Sequence, residues 1–115
     1  MLTKEELPAC PVATTVNLIG NKWKLLILRD LLMGTKRFGE LRKGVTGISQ
    51  KVLTDNLRAL EEDGIVLRAI FAEVPPRVEY SLSELGETLR PIIDVMGEWG
   101  TAYKARFAKP KTKKG

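Results

Sequence analysis

FGELRKGVTGISQKVLTDNLRALEEDGIVLRAIFAEVPPRVEYSL, residues 38–82, sets a short amphipathic helix, a turn, a second capped helix and a strand–tip–strand ribbon in immediate succession. That order is the order of a DNA-reading device. Ser49 can accept a hydrogen bond from the free N–H groups of a first helical turn, and Gly64 tolerates the left-handed conformation that closes a last one. Ile48 and Leu53 flank the cap at the spacing of a hydrophobic staple, which fixes the angle at which the chain enters the helix. Leu53, Leu57 and Leu60 recur at i, i+4 and i+7, so they share one stripe and face a core. Lys51, Thr54, Asp55 and Arg58 occupy the opposite face. Ser49, Gln50 and Lys51 open the helix, the part that reaches base edges when a helix-turn-helix docks in the major groove.

The remaining composition narrows the class. A chain of 115 residues, 43% hydrophobic and 29% charged, is one domain with room for a single core. No apolar run nears the roughly 20 residues of a membrane span, and residues 1–10 lack the apolar stretch of a secretory leader, so a cytoplasmic protein without membrane contact is expected. One cysteine rules out a disulfide framework, and without histidine no multi-ligand zinc site is expected. Enzymatic chemistry finds little support. The commonest general base is absent, Gly44-x-x-Gly47 lacks the lysine and hydroxyl of a phosphate loop, and no cofactor motif occurs. Glu61, Glu62 and Asp63 read as a solvated helix end.

The net charge of +5 is unevenly spread. Lys104, Arg106, Lys109, Lys111, Lys113 and Lys114 have no acid after them, and without these six the chain carries 13 basic against 14 acidic groups. Within the body, Lys36, Arg37, Arg42, Lys43, Lys51 and Arg58 meet only Glu40 and Asp55, a local excess of four positive charges. Residues 79–98 hold five acids against Arg90 alone. Such polarity turns the first surface toward phosphates and the second away.

Outward from the reading segment, residues 1–9 form a loosely held arm. A helix follows over about residues 11–19, with Pro11 in its tolerated first-turn position and Gly20 at its end. Asn21 can cap the next helix, apolar nearly all round through Trp23, Leu25, Leu26, Ile27, Leu28, Leu31 and Leu32, and Gly34 ends it. Residues 35–37 lead into the short helix. Beyond Gly64, residues 65–73 are rich in strand formers and Val78, Tyr80 and Leu82 alternate with Glu79 and Ser81, while Val74, Pro75, Pro76 and Arg77 make the tip. From Ser83 the chain is helical again, and Pro91 should kink or divide that helix. Residues 108–115 read as a disordered basic tail.

Several blocks in this order resemble the HxlR family of bacterial and archaeal transcription regulators: CPV at 10–12, GNKWK at 20–24, RFGEL at 37–41, GISQKVLT at 47–54, LRALE at 57–61 and VPPRVEYSL at 74–82. The resemblance spans about residues 10–103, within a domain expected over residues 10–107. It implies an α+β, mainly helical fold: a winged helix-turn-helix related to the MarR regulators, with a two-stranded β wing and N- and C-terminal dimerisation helices. It implies a homodimer on double-stranded DNA at an inverted-repeat operator, and repression as the commoner direction of control. Val12, Val16, Ile19, Leu89, Ile92, Ile93, Met96, Trp99 and Tyr103 are then the dimerisation residues; with Phe107, the stripe on the last helix is longer than the domain's own core needs.

For the DNA, Ser49, Gln50, Lys51, Thr54 and Arg58 are expected in the major groove, and Lys36, Arg37, Arg42 and Lys43 at phosphates. Arg77 either enters the minor groove or merely belongs to a stable turn. Cys10 is either a small packing residue or, as the resemblance implies for some relatives, a sensor of oxidants or electrophiles; a small-molecule or oxidant effector is left open. Its place before a helix would favour the reactive thiolate. The competing reading from another class is a winged-helix protein-interaction module, which would show no salt-dependent DNA binding.

Overall fold

The computed structural model describes residues 7–108. Residues 1–6 of the expected arm and 109–115 of the basic tail lie outside the described residues.

Nine elements follow one another: α1 (Pro11–Ile19), α2 (Lys22–Leu31), β1 (Lys36–Arg37), α3 (Phe38–Gly44), α4 (Gln50–Glu62), β2 (Val66–Phe71), β3 (Arg77–Leu82), α5 (Glu84–Glu87) and α6 (Arg90–Phe107). The helices form where the caps allow. The Asn21 side chain accepts from the Lys24 N–H, and Ser49 accepts from the Val52 N–H, each satisfying a first-turn donor that has no partner in its own helix. Asn21 has a second task, because its amide donates to Asn56 of α4 at 3.2 Å and so ties the start of α2 to the flank of the reading helix. Gly64 sits at φ +77°, the conformation that lets α4 turn directly into β2.

The core lies between α2, α3, α4 and the base of the sheet. Ile27, Leu28, Leu41, Val45, Leu53, Leu60 and Val66 are fully enclosed there, and Ile48, the expected staple partner of Leu53, is buried in the same cluster. Ile19 joins this core at 4% exposure. Its side chain is taken up by the protomer's own interior, where it lines a cavity with Leu18, Ile65 and Leu89. Leu89 and Ile93 also pack partly on the core.

The sheet is three-stranded and antiparallel, in the order β1-β3-β2. The two-stranded ribbon expected from the sequence is β2–β3, with Val66 opposite Leu82 at its base and Phe71 opposite Arg77 at its tip. Residues 36–37, expected as a lead-in to α3, instead add a strand, Lys36 opposite Tyr80 and Arg37 opposite Glu79. Ser83 closes the base of the wing, its hydroxyl donating to the Gly64 carbonyl at 2.6 Å and accepting from the Gly86 N–H.

Pro91 lies in the first turn of α6, where its missing N–H costs nothing, and the helical stretch after Ser83 divides into α5 and α6 ahead of it. None of the residues of α6 is buried. The radius of gyration is 17.1 Å, against roughly 13 Å for a compact domain of this length.

Candidate nucleic-acid interface

α4 presents its polar face because the other face is consumed by Leu53, Leu57 and Leu60. Gln50, Lys51 and Arg58 are exposed and Thr54 is half-buried at the edge. Lys51 pairs with Asp55 one turn on, at 2.8 Å, but both side chains are largely exposed, and pairs of this kind contribute only about 0.3–0.5 kcal/mol. A base edge or phosphate can therefore take Lys51 at little cost.

The turn that aims α4 is anchored from below. Arg29 of α2 donates through one terminal nitrogen to the Gly44 carbonyl at 3.0 Å, closing the end of α3, while its Nε bonds the buried carboxylate of Asp30 at the same distance. A methyl group at Gly44 would collide with that carboxylate. Gly47, at φ +86°, makes the turn itself. The capping of α3 also differs from a simple N-cap, since Glu40 reaches back to accept the Arg37 N–H at 2.8 Å.

The remaining cations do not form the single surface that a count along the sequence suggests. Arg42 and Lys43 are exposed at the end of α3. Lys36 lines a groove with Arg29, Asp30, Met33, Glu40 and Arg90. Arg37 and Arg77 share the outer face of the sheet with Glu79 and sit close to Glu73. Arg77 opens β3 and is not part of the free tip: its guanidinium lies 3.8 Å from the Phe71 ring centre, bonds Glu73 at 2.8 Å and also bonds Glu79. These carboxylates hold the guanidinium even more firmly protonated, and its hydrogen bonds keep the Glu73 carboxyl below its ordinary range.

One cation escaped the sequence reading. Arg68 of β2 stands directly opposite Tyr80 and reaches Glu61 of α4 at 3.3 Å. The signal was present, since Arg68 falls in the same alternating phase as the buried Val66, an unusual place for an arginine unless a neighbouring element receives it.

The second expected surface lies on α1 and α6. Val12, Val16, Val95, Met96, Trp99, Tyr103 and Phe107 are all exposed, Trp99 at 68% and Tyr103 at 52%. Trp99 stacks on Tyr103 with ring centres 5.4 Å apart, and Tyr103 contacts Phe107 at 4.8 Å. Each aromatic offers about 150–250 Å² of burial, so this face exceeds the few hundred Å² of contiguous apolar surface that monomers commonly leave to water. Cys10 is exposed at the N-cap of α1 and makes no capping bond with its side chain.

The sequence matches a known family model, the HxlR-like helix-turn-helix, over residues 18–107, which takes in α2 through α6. The chain belongs to that family. The HTH-type transcriptional regulator YdeP of Bacillus subtilis (strain 168) is 48% identical over 107 residues, spanning 93% of this chain and 84% of the relative. Among solved structures, the redox regulator HypR in its reduced form aligns with a TM-score of 0.80 and 47% identity, over 83% of this chain and 94% of HypR. Reduced YodB from B. subtilis, also a transcriptional regulator, aligns at 0.69 and 35%, over 90% and 98% of the two chains. This HxlR-type protein is accordingly a DNA-binding transcription regulator with a MarR-like winged helix-turn-helix. No helix among its described residues is long and apolar enough to cross a membrane.

Proposed function

We propose that this regulator is a homodimer that recognises an inverted-repeat operator through α4 and represses transcription from it. The polar face of α4 carries the proposal: Gln50, Lys51 and Arg58 stand exposed on a helix whose direction is set by a fully buried stripe and by caps at both ends. Ser49 and Thr54 complete the major-groove set, with Arg42 and Lys43 at flanking phosphates and Lys36 at the rim. Arg37 and Arg77, matched by Glu79 and Glu73, contribute less than their charge suggests. Val12, Val16, Ile92, Met96, Trp99 and Tyr103 meet the same residues of a second copy, with Leu89 and Ile93 bridging to each protomer's core. Two reading helices then lie about 34–36 Å apart, one turn of duplex. Repression is the direction that the family resemblance implies.

Duplexes selected from a random pool by the purified protein supply the operator for the test. Lys51→Ala and Arg58→Ala should each weaken binding to it by about 1–3 kcal/mol where the residue reads a base, with the circular dichroism spectrum unchanged. If both variants and the double variant bind the operator like the wild type, α4 is not the reader. An interaction module of another kind would give no salt-dependent DNA binding at all.

Cys10 favours oxidant control of this same regulator. Its thiol is exposed at the start of a helix assigned to the dimer face, HypR is a redox regulator solved in an oxidised form, and YodB has been solved after diamide treatment. With one thiol per chain, two Cys10 thiols give up two protons and two electrons to diamide and join across subunits, or one joins a small thiol. Diamide should change operator affinity at least several-fold in the wild type and leave Cys10→Ser unaffected. An equal response in the serine variant removes Cys10 from the control of DNA binding.

A further inference from the structure

The wing carries two arginines in opposite situations. Arg77, on the outer face, spends Nε and both terminal nitrogens on Glu73 and Glu79 and lays its plane on Phe71. Arg68, on the face toward α4, makes one side-chain bond among the described residues, through Nε to Glu61 at 3.3 Å. That separation is long for a charge-assisted bond, which runs about 2.7–2.9 Å, and both partners are more than a third exposed. The terminal nitrogens of the guanidinium, four of its five N–H donors, have no side-chain acceptor there.

Around Arg68 the chemistry is that of an anion site. Tyr80 stands directly across the ladder from it. Burial pushes the Tyr80 hydroxyl up, and the charges of Arg68, Glu61 and Arg58 all reach it. The hydroxyl is thus a neutral donor at physiological pH. Two guanidiniums, Arg68 and Arg58, and one carboxylate, Glu61, leave a single uncompensated positive charge in the angle between α4 and β2.

Resting on the DNA-binding reading above, we propose that Arg68 and Tyr80 form a clasp for a backbone phosphate between the reading helix and the wing, with Arg58 adding only its charge from the base-reading face of α4 and with Glu61 as the resident counter-ion that the phosphate displaces. The clasp reads no base. It fixes how far the wing stands from α4 once DNA is seated, and Glu61 weakens binding wherever no phosphate is correctly placed to replace it. The wing therefore docks through its inner arginine, while the arginine beside the prolines holds the tip in shape.

The test compares one 30-bp duplex selected by the wild type with a scrambled duplex, by fluorescence anisotropy across a series of KCl concentrations. Arg68→Ala should weaken both duplexes alike, about tenfold near physiological salt, and flatten the logarithmic salt dependence by about one ion per chain. Tyr80→Phe should act in the same direction and less strongly. Glu61→Gln should tighten both duplexes and narrow the ratio between them, an effect absent in the Arg68→Ala background. Thermal melts of each variant establish that the fold is kept. Unchanged affinity and salt slope in Arg68→Ala overturn the clasp, as does a loss confined to the selected duplex, which would make Arg68 a base reader. Either result leaves the α4 reading standing if Lys51→Ala still loses its preference for the selected duplex. A wild type that selects no duplex overturns both.

Discussion

Replacing Trp99 and Tyr103 together by glutamate should convert the protein to a monomer and lower operator affinity more than a hundredfold, the largest effect expected of any surface change. The two rings stack on one another and leave most of their area to water in the isolated protomer, so they contribute little to its own stability. Buried in a dimer they become anchors of the kind whose truncation costs about 2–4 kcal/mol each, and two carboxylates facing their symmetry copies add repulsion. A monomer engages one half-site and loses the linkage that makes the second contact intramolecular. Light scattering at micromolar concentration reads the assembly and anisotropy reads the affinity. A double variant that stays dimeric removes α6 from the interface; one that is monomeric yet binds the operator normally removes the dimer from the mechanism.

Leu53→Ala acts on the other side of the reading helix. Leu53 is 0% exposed and sits at the fourth helical position, within the core cluster that also holds Ile48. Deleting a leucine side chain from such a site costs about 2–5 kcal/mol, a large part of the 5–15 kcal/mol typical of a whole domain. The urea midpoint should fall accordingly and the melting temperature drop by about 10 °C or more. Lys51→Ala, two residues away on the open face, should leave both almost unmoved. A shift for Leu53→Ala as small as that of Lys51→Ala would mean that the stripe does not hold α4.

What the sequence made legible was chemistry that acts between near neighbours. Ser49 with the Val52 N–H, Asn21 with the Lys24 N–H and Gly64 past the end of α4 are interactions over three residues or fewer, and the Leu53, Leu57, Leu60 stripe is a matter of phase alone. β1 was not legible because two residues carry no period, and its partner strand lies some forty residues on. Ile19 shares the apolar character of Val12 and Val16, and periodicity cannot say whether an apolar residue faces its own core or a second copy. The arginines of the wing misled for a related reason. Beside two prolines Arg77 looks free, but the hairpin brings onto it Phe71 from the end of β2 and Glu73 from the loop that follows. Arg68 looks like one more surface charge until α4 supplies Glu61 and β3 supplies Tyr80.

The short joint at Gly20 and Asn21 has a consequence for how such regulators diversify. Only these two residues separate α1 from α2; Gly20 is so close to Val16 that no side chain fits there, and Asn21 is bonded to α4. The outward face of α4 can be rewritten one residue at a time without disturbing the interior, so the letters of an operator are free to drift. In the dimer proposed above, the interval between the operator's two halves depends on where α1 sits on the body, which this short joint holds. New target sequences should accordingly arise within this lineage by substitution, whereas a new spacing would require the joint itself to be rebuilt.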